Sequence, residues 1–178
     1  MADAAKEYFS FLSECKSAAQ PEIIIGDGRL ELKKLGDKKF DMVFIDAFSS
    51  DAVPTHLLTK EAIEEYLNHL TPDGLLVFHL SNRYFYLESL FVTLGKHLGL
   101  HHRYTHNPFI DVPFLFASKW MVMARSEEPL SALTEEKKWI VLEEGSKDFW
   151  TDDYTNIMSV VYMTPPASHT YRAKKEKK

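Results

Sequence analysis

The hydrophobic positions of this 178-residue chain follow two patterns that alternate along the sequence. Short, unbroken apolar runs predict strands that are covered on both faces. Segments with apolar residues at spacings of three and four predict amphipathic helices. The predicted strands are 22–25, 42–45, 75–80, 100–105 and 120–124. The predicted helices are 4–15, 29–35, 59–70 and 84–98, with a short helix near 135–141. This alternation predicts an α/β fold with a mostly parallel sheet.

Local signals sharpen several of these boundaries. Thr59 is a suitable N-cap for its helix, and Gly99 is a natural C-terminal cap. The sequence Thr71-Pro72-Asp73-Gly74 predicts a turn before the next strand. The chain ends in a basic segment that follows Pro165-Pro166. We expect one domain over residues 1–164, followed by a basic, disordered tail over residues 165–178.

Composition and charge exclude several classes of protein. The net charge of −5 does not favour nucleic acid as a partner. A single cysteine, Cys15, allows no internal disulfide and fits a reducing compartment. No apolar run reaches the ~18 residues of a membrane span, and the N-terminus lacks a signal pattern. We expect a cytoplasmic protein that does not insert into a membrane.

The stretch from Phe40 to Pro54 carries the strongest chemical signal. An apolar strand ends abruptly at Asp46, and Asp51 follows on the loop. In open α/β sheets, ligands bind just beyond the carboxyl ends of the strands. Two carboxylates at this position can act on one ligand. The alternative is a loop in which one aspartate caps a helix.

Two other acidic segments are candidates for binding. Asp27 and Gly28 directly follow a predicted strand, where a glycine lets the backbone approach a ligand closely. The alternative is that Asp27 only caps the next helix. Near the C-terminus, Asp152 and Asp153 lie beside two aromatic residues and can hold a cation. The alternative there is a helix start.

A metal site is not predicted from the eight histidines. His97 and His101 are separated by Gly99, which ends a helix, while His56, His69 and His79 fall on different elements. We expect surface or core roles for these side chains. The chain also lacks a Gly-x-Gly-x-x-Gly sequence and a phosphate-binding P-loop.

In combination, several motifs resemble the spermidine synthases, which are polyamine aminopropyltransferases. The resemblance is closest to domains that many bacteria fuse to a transporter-like membrane half, and it covers roughly residues 4–161. The matching segments are Gly26-Asp27-Gly28-Arg29, residues 40–59, residues 70–74, His79-Leu80-Ser81-Asn82-Arg83 and residues 150–156.

This resemblance implies a Rossmann-like fold of the class I methyltransferase type. It also implies transfer of an aminopropyl group from decarboxylated S-adenosylmethionine to a diamine such as putrescine. Asp46 matches the acid that takes the amine proton, and Asp51 lies near the acid that holds the amine. Asp27 matches the acid that binds the adenine amino group, and we place Gly28 and Ala47 beside the cofactor.

The chain departs from the family before its first predicted helix. The family's first two strands, glycine-rich cofactor loop and N-terminal hairpin have no counterpart. We therefore expect weak or no binding of an adenosyl cofactor. We also expect the strand at Ile23 to pair with the strand at Phe44, or with a second chain in a homodimer. Two further hypotheses are an S-adenosylmethionine-dependent methyltransferase and a non-catalytic binding or assembly module.

Overall fold

The computed structural model describes residues 7–8, 10, 14–15, 21–47, 53–82, 84–107, 117–134, 136 and 138–161. The chain forms two compact units, residues 1–36 and residues 37–178, and each is described by itself. The helix predicted over 4–15 and the tail predicted over 165–178 lie outside the described residues, except for isolated positions in the helix. Both stay predictions, as does the domain boundary at residue 164.

The first unit contains helix α1 (Gly28–Lys33). Asp27 caps it, because its Oδ1 accepts a hydrogen bond from the Leu30 backbone N–H at 3.0 Å. The strand predicted over 22–25 is wrong: these residues carry no strand assignment, and Ile25 is 77% exposed. Extended backbone becomes a strand only when a neighbour supplies a hydrogen-bond ladder, and no such ladder includes these residues in the described chain.

The second unit alternates strands and helices over most of its length. In chain order its strands and helices are β1 (Phe40–Ile45), α2 (Lys60–Asn68), β2 (Leu70–His79), α3 (Glu88–Leu98), β3 (His101–Asn107), β4 (Ser118–Ala124) and α4 (Ser131–Thr134). Single 3₁₀ turns lie at Thr55–Leu57, Glu128–Leu130 and Ile157–Val160.

The four strands form one sheet in the order β1-β2-β4-β3. β1 and β2 are parallel, whereas β4 is antiparallel to both of its neighbours. Three strands therefore run in the same direction, and the predicted α/β fold is confirmed. The expected pairing of the Ile23 segment with β1 is not found, because within the described residues β1 pairs only with β2.

The β1–β2 ladder contains one irregularity. Phe40 pairs with Leu70 and Met42 with Leu75, so six residues of β2 span the same stretch as three residues of β1. The predicted turn at Thr71–Gly74 therefore lies inside β2, where it forms a bulge. Beyond it the register is regular and ends with Ile45 opposite Phe78. The turn residues do not end the strand because the ladder resumes on their far side.

Three predicted helices differ from the structure. The helix expected from Tyr84 begins at Glu88, after Asn82 has bonded the Tyr84 and Phe85 backbone N–H groups in an Asx turn. No helix is found at 138–141, where Ile140 bridges to Tyr104 instead. Near the C-terminus, the helix that was only an alternative interpretation of the Asp152 segment is reduced to the 3₁₀ turn Ile157–Val160.

The two faces of the sheet are covered differently. On one face α3 packs closely, with the rings of Phe78 and Phe91 4.3 Å apart and Gly95 against Met123. On the other face, Val77 and Val122 pack against the segment that contains Leu130. That segment does not cover the β1 side, where Met42 is 53% and Phe44 50% exposed.

A buried ion pair joins α3 to the β3–β4 hairpin. Lys119 Nζ lies 2.8 Å from Glu88 Oε1, and the two side chains are 5% and 0% exposed. Tyr104 donates its hydroxyl to the same carboxylate oxygen at 3.3 Å. Removing one member of a buried pair leaves an uncompensated charge in a medium of low dielectric, which is costly.

We predict that Lys119→Met lowers the free energy of unfolding by about 3 kcal/mol, because Glu88 is left buried without its cation. Lys60→Met is the control, since the Lys60–Glu64 pair is partly exposed and should contribute no more than about 0.5 kcal/mol. Urea titration of both variants measures the difference. Equal losses in the two variants would contradict the assigned importance of the buried pair.

His102 makes stability depend on pH. Burial lowers its pKa from the usual 6.5; a hydrogen bond to the Leu142 carbonyl opposes this, and the nearby charges of Arg103, Lys96 and His101 add to the lowering. The folded state thus favours the neutral ring. Its contribution to stability is complete above pH 6.5 and is lost as the pH falls from there toward the folded-state pKa.

We predict that the free energy of unfolding declines between pH 7.5 and 5.5 more steeply in the native chain than in His102→Gln. The glutamine cannot be protonated in this range, so it removes this linkage. Urea titrations at several pH values give both slopes. Parallel slopes would show that other groups cause the dependence.

Candidate functional site

The candidate site lies at the carboxyl edge of the parallel strands. β1 ends at Ile45 and β2 at His79 on this edge, and α2, which connects them, must begin there. The chain therefore brings the first polar residues after two strands and the first turn of a helix to the same place. Asp46 is the first polar residue after β1.

Asp46 and His79 contact each other directly. His79 Nδ1 lies 2.8 Å from Asp46 Oδ1. This contact follows from the ladder. Ile45 is opposite Phe78, so Asp46, which follows Ile45, lies beside His79, which follows Phe78. The Asp46 side chain is 50% exposed and that of His79 is 25% exposed. The carboxylate is thus bonded on one side and accessible to a ligand on the other.

Trp120 on β4 holds the His79 ring from the opposite side. The two residues are paired across the ladder, and their rings stack with centroids 4.3 Å apart at an angle of 20°. The Trp120 ring also contacts Phe44, with a centroid distance of 5.4 Å. Asp46, His79 and Trp120 thus form a continuous row across three strands.

This row borders an apolar cavity on the open face of the sheet. The cavity measures about 500 Å³ and lies between the sheet and the segment that follows β4. Its walls include Met42, Phe44 and Trp120 from the sheet and Leu133 and Trp139 from the covering segment. The cavity wall is apolar and the row beside it is polar, a combination typical of binding sites for small molecules.

The acidic pair near the C-terminus lies at the start of α2. Asp152 Oδ1 accepts a hydrogen bond from Thr59 Oγ1 at 2.7 Å, and Thr59 in turn caps the helix by accepting from the Ala62 N–H. The backbone N–H of Asp152 donates to Glu61 at 2.9 Å. Asp152 therefore supports the start of α2, a different helix from the one that the alternative interpretation placed after it, and Asp153 is exposed. The binding roles of both residues stay predictions.

The remaining predicted site residues are placed as follows. Asp51 lies outside the described residues, and Ala47 is exposed directly after Asp46. In the first unit, Asp27 is the α1 cap and Gly28 is the first helical residue. A Cβ atom at Gly28 would meet nothing within 4 Å, so the fold itself does not require glycine there. The cofactor roles of these residues stay predictions.

The part of the chain that the structure describes offers no metal site and no membrane span. No group of three histidine, cysteine or acidic side chains in this part of the chain is arranged to hold a metal ion. None of the helices built from these residues is long and apolar enough to cross a membrane.

Comparison with known proteins identifies the family. Residues 1–136, well over half of the chain, match the spermine/spermidine synthase domain. The chain belongs to this family. A polyamine aminopropyltransferase of Vibrio vulnificus (strain CMCP6) is 33% identical over 75 residues, which are 41% of this chain and 24% of that relative. The resemblance stated from the motifs is thereby confirmed.

Solved spermidine synthases share the fold. The enzyme from Thermotoga maritima superposes with a TM-score of 0.52 at 15% identity, covering 85% of this chain and 49% of that one. A spermidine synthase in complex with the transition state analogue AdoDATO gives 0.50 at 17% identity, with the same coverage. The chain thus spans about half the length of these two structures and about a quarter of the curated relative.

The sequence does not predict His79 as a site residue. This histidine lies on a different element from the other histidines, and the apolar run predicts a strand that ends one residue later, at Leu80. One signal was available in the sequence: His79 lies at the end of β2, and β1, the strand beside it, ends directly before Asp46. The bulge at Thr71–Gly74 hides this alignment, because the register cannot be counted through it from sequence.

We predict that Asp152→Ala lowers the free energy of unfolding by about 1–2 kcal/mol, since Thr59 loses its partner at the helix start. Asp153→Ala is the matched control and should change stability by no more than about 0.5 kcal/mol. Urea titration compares the two. If both variants were as stable as the native chain, the assigned support of α2 by Asp152 would be wrong.

Proposed function

We propose that this domain transfers an aminopropyl group from decarboxylated S-adenosylmethionine to a small diamine. The observation that carries the proposal is Asp46, a half-exposed carboxylate that follows β1 at the ligand-binding edge of a spermidine synthase fold. A carboxylate is needed there because an amine is protonated near neutral pH, with a pKa of about 10. It must lose a proton before its lone pair can attack carbon.

Asp46 acts as the general base in this proposal. It takes a proton from the ammonium of the diamine, and the freed lone pair then attacks the carbon next to the donor's sulfonium. The new N–C bond forms as the C–S bond breaks, and the sulfur leaves as a neutral thioether. The positive charge of the sulfonium thus ends on the amine product, and the proton removed from the ammonium is on Asp46.

The other acids complement the positive charges of the substrates. Asp51, Asp152 and Asp153 hold the distal ammonium of the diamine, and Asp152 accepts a hydrogen bond from Thr59 at the start of α2. For the adenosyl part we propose Ala47, directly after Asp46, and from the resemblance alone Asp27 and Gly28 of the first unit. Carboxylates complement the cationic donor and acceptor at this edge, since Asp46 follows β1 and Asp152 bonds Thr59 at the start of α2.

We predict that Asp46→Asn lowers the rate of transfer from decarboxylated S-adenosylmethionine to putrescine by about 10²–10⁴-fold. Asparagine keeps the shape and can still accept from His79, but it is not basic. Asp73→Asn is the control, because Asp73 is exposed in the bulge away from the carboxyl edge and its change should leave the rate unaltered. Product formation by the full chain is the measurement.

The same assay separates the rival functions. Product from S-adenosylmethionine but not from its decarboxylated form would replace the proposal with a methyltransferase. No transfer from either donor, together with no heat of binding in calorimetry, would leave a non-catalytic module. Full activity of Asp46→Asn would remove Asp46 from the role of base.

A further inference from the structure

The contact between His79 and Asp46 has the geometry of a built pair. Its 2.8 Å separation is the length of a charge-assisted hydrogen bond. The ring cannot turn freely, because Trp120 stacks on it at 4.3 Å and Trp120 itself rests against Phe44. Packing against Trp120 therefore fixes the orientation of the imidazole independently of its hydrogen bond to the Asp46 carboxylate.

The chemistry of the contact assigns the ring protons. An ionised carboxylate can only accept, so the proton of a neutral His79 ring must be on Nδ1, which faces Asp46. The contact then occupies one carboxylate oxygen with a donor and leaves the other oxygen for a substrate. A short side chain at a strand end that is half exposed would otherwise sample several orientations.

The charged surroundings of this pair are simple. On the described strands beside His79, Asp46 directly follows β1, Asp41 lies at the far, amino end of β1, and Lys119 precedes Trp120 on β4. Lys119 lies on the other face of the sheet, where its ammonium is bonded to Glu88. Among these described charged groups, the one to which His79 is hydrogen-bonded is therefore the Asp46 carboxylate.

A second histidine–carboxylate pair shows what an incidental contact looks like. His101 Nδ1 lies 3.1 Å from Glu127 Oε2, and the two side chains are 49% and 53% exposed. It lies at the first residue of β3, the opposite edge of the sheet, and no ring contact is recorded for His101 among the described residues. The Asp46 pair is shorter, less exposed and backed by an aromatic ring.

We propose that His79 is a positioning residue for the base: its Nδ1–H holds one oxygen of Asp46 so that the other faces the amine. The inference rests on the proposed role of Asp46 in aminopropyl transfer. It assigns to His79 no contact with substrate. Trp120 extends the same arrangement, because it fixes the ring plane from which the N–H is donated.

Two substitutions separate the donor from the ring. His79→Phe keeps an aromatic ring on Trp120 and removes the N–H, whereas His79→Asn places an amide N–H where Nδ1 stands and removes the ring. We expect His79→Phe to lower kcat by about 10²-fold with KM for both substrates unchanged, as for a misplaced catalytic group. We expect His79→Asn to recover most of that loss. His101→Asn is the control at the other edge and should retain native kcat.

A measurement without turnover tests the contact itself. Long-range ¹H–¹⁵N correlation of the imidazoles at pH 8 reports which ring nitrogen carries the proton. We expect the Nδ1–H form for His79 in the native chain and a return to the Nε2–H form, which a free histidine side chain prefers, in Asp46→Ala. His101 should keep its spectrum in that variant.

The outcomes distinguish the two proposals. Native transfer with an undiminished kcat in His79→Phe overturns the positioning role and leaves the proposed function intact. An absence of transfer in the native chain overturns the proposed function, and the ring spectrum then decides whether His79 holds Asp46. An Nε2–H ring in the native chain overturns the positioning role whatever the activity.

Discussion

The candidate site depends on one stretch of parallel ladder, from Met42–Leu75 to Ile45–Phe78. Because these four pairs are in regular register, the first residue beyond β1 lies beside the last residue of β2. The same ladder determines where α2 must begin, since the crossover starts where β1 ends. A carboxylate, an imidazole and a helix start thus meet through backbone hydrogen bonds that involve none of their side chains.

The C-terminal segment secures the loops that this ladder creates. The Trp150 carbonyl accepts from the Lys60 N–H at the start of α2, and the Val160 carbonyl accepts from the Tyr86 N–H before α3. Trp150 is almost fully buried and anchors the segment. Residues far apart in sequence therefore brace both loops at the carboxyl edge. The loops at the candidate site are in this way held by hydrogen bonds to a distant part of the same unit.

Much of the fold could be predicted from sequence because apolar periodicity and caps are local signals. β1, α2, β4 and the Gly99 cap were predicted close to their observed positions, and Gly99 has the positive φ of 66° that favours glycine. The strand at 22–25 was predicted wrongly from the same kind of signal. Its three isoleucines are typical of a strand, but an apolar run carries no information about whether a ladder partner exists.

The site could be predicted only in part, for a related reason. Asp46 was found because a strand that stops at a carboxylate is visible in the sequence. Its contact with His79 depends on a register between two strands, and the contact of Asp152 with Thr59 spans more than ninety positions. Neither can be read from spacing along one chain. The resemblance to the spermidine synthases supplied the motifs but not these pairings.

The bulge at Thr71–Gly74 separates two parts of β2 that tolerate changes of length differently. A residue inserted or deleted in the bulge alters an already irregular stretch, and the ladder beyond it can keep its pairing. A one-residue deletion between Leu75 and Phe78 would instead exchange the two faces of the strand, moving the apolar side chains of the helix-covered face to the open face. Variation in length among related chains can thus accumulate at the amino end of β2 while the carboxyl edge stays constant.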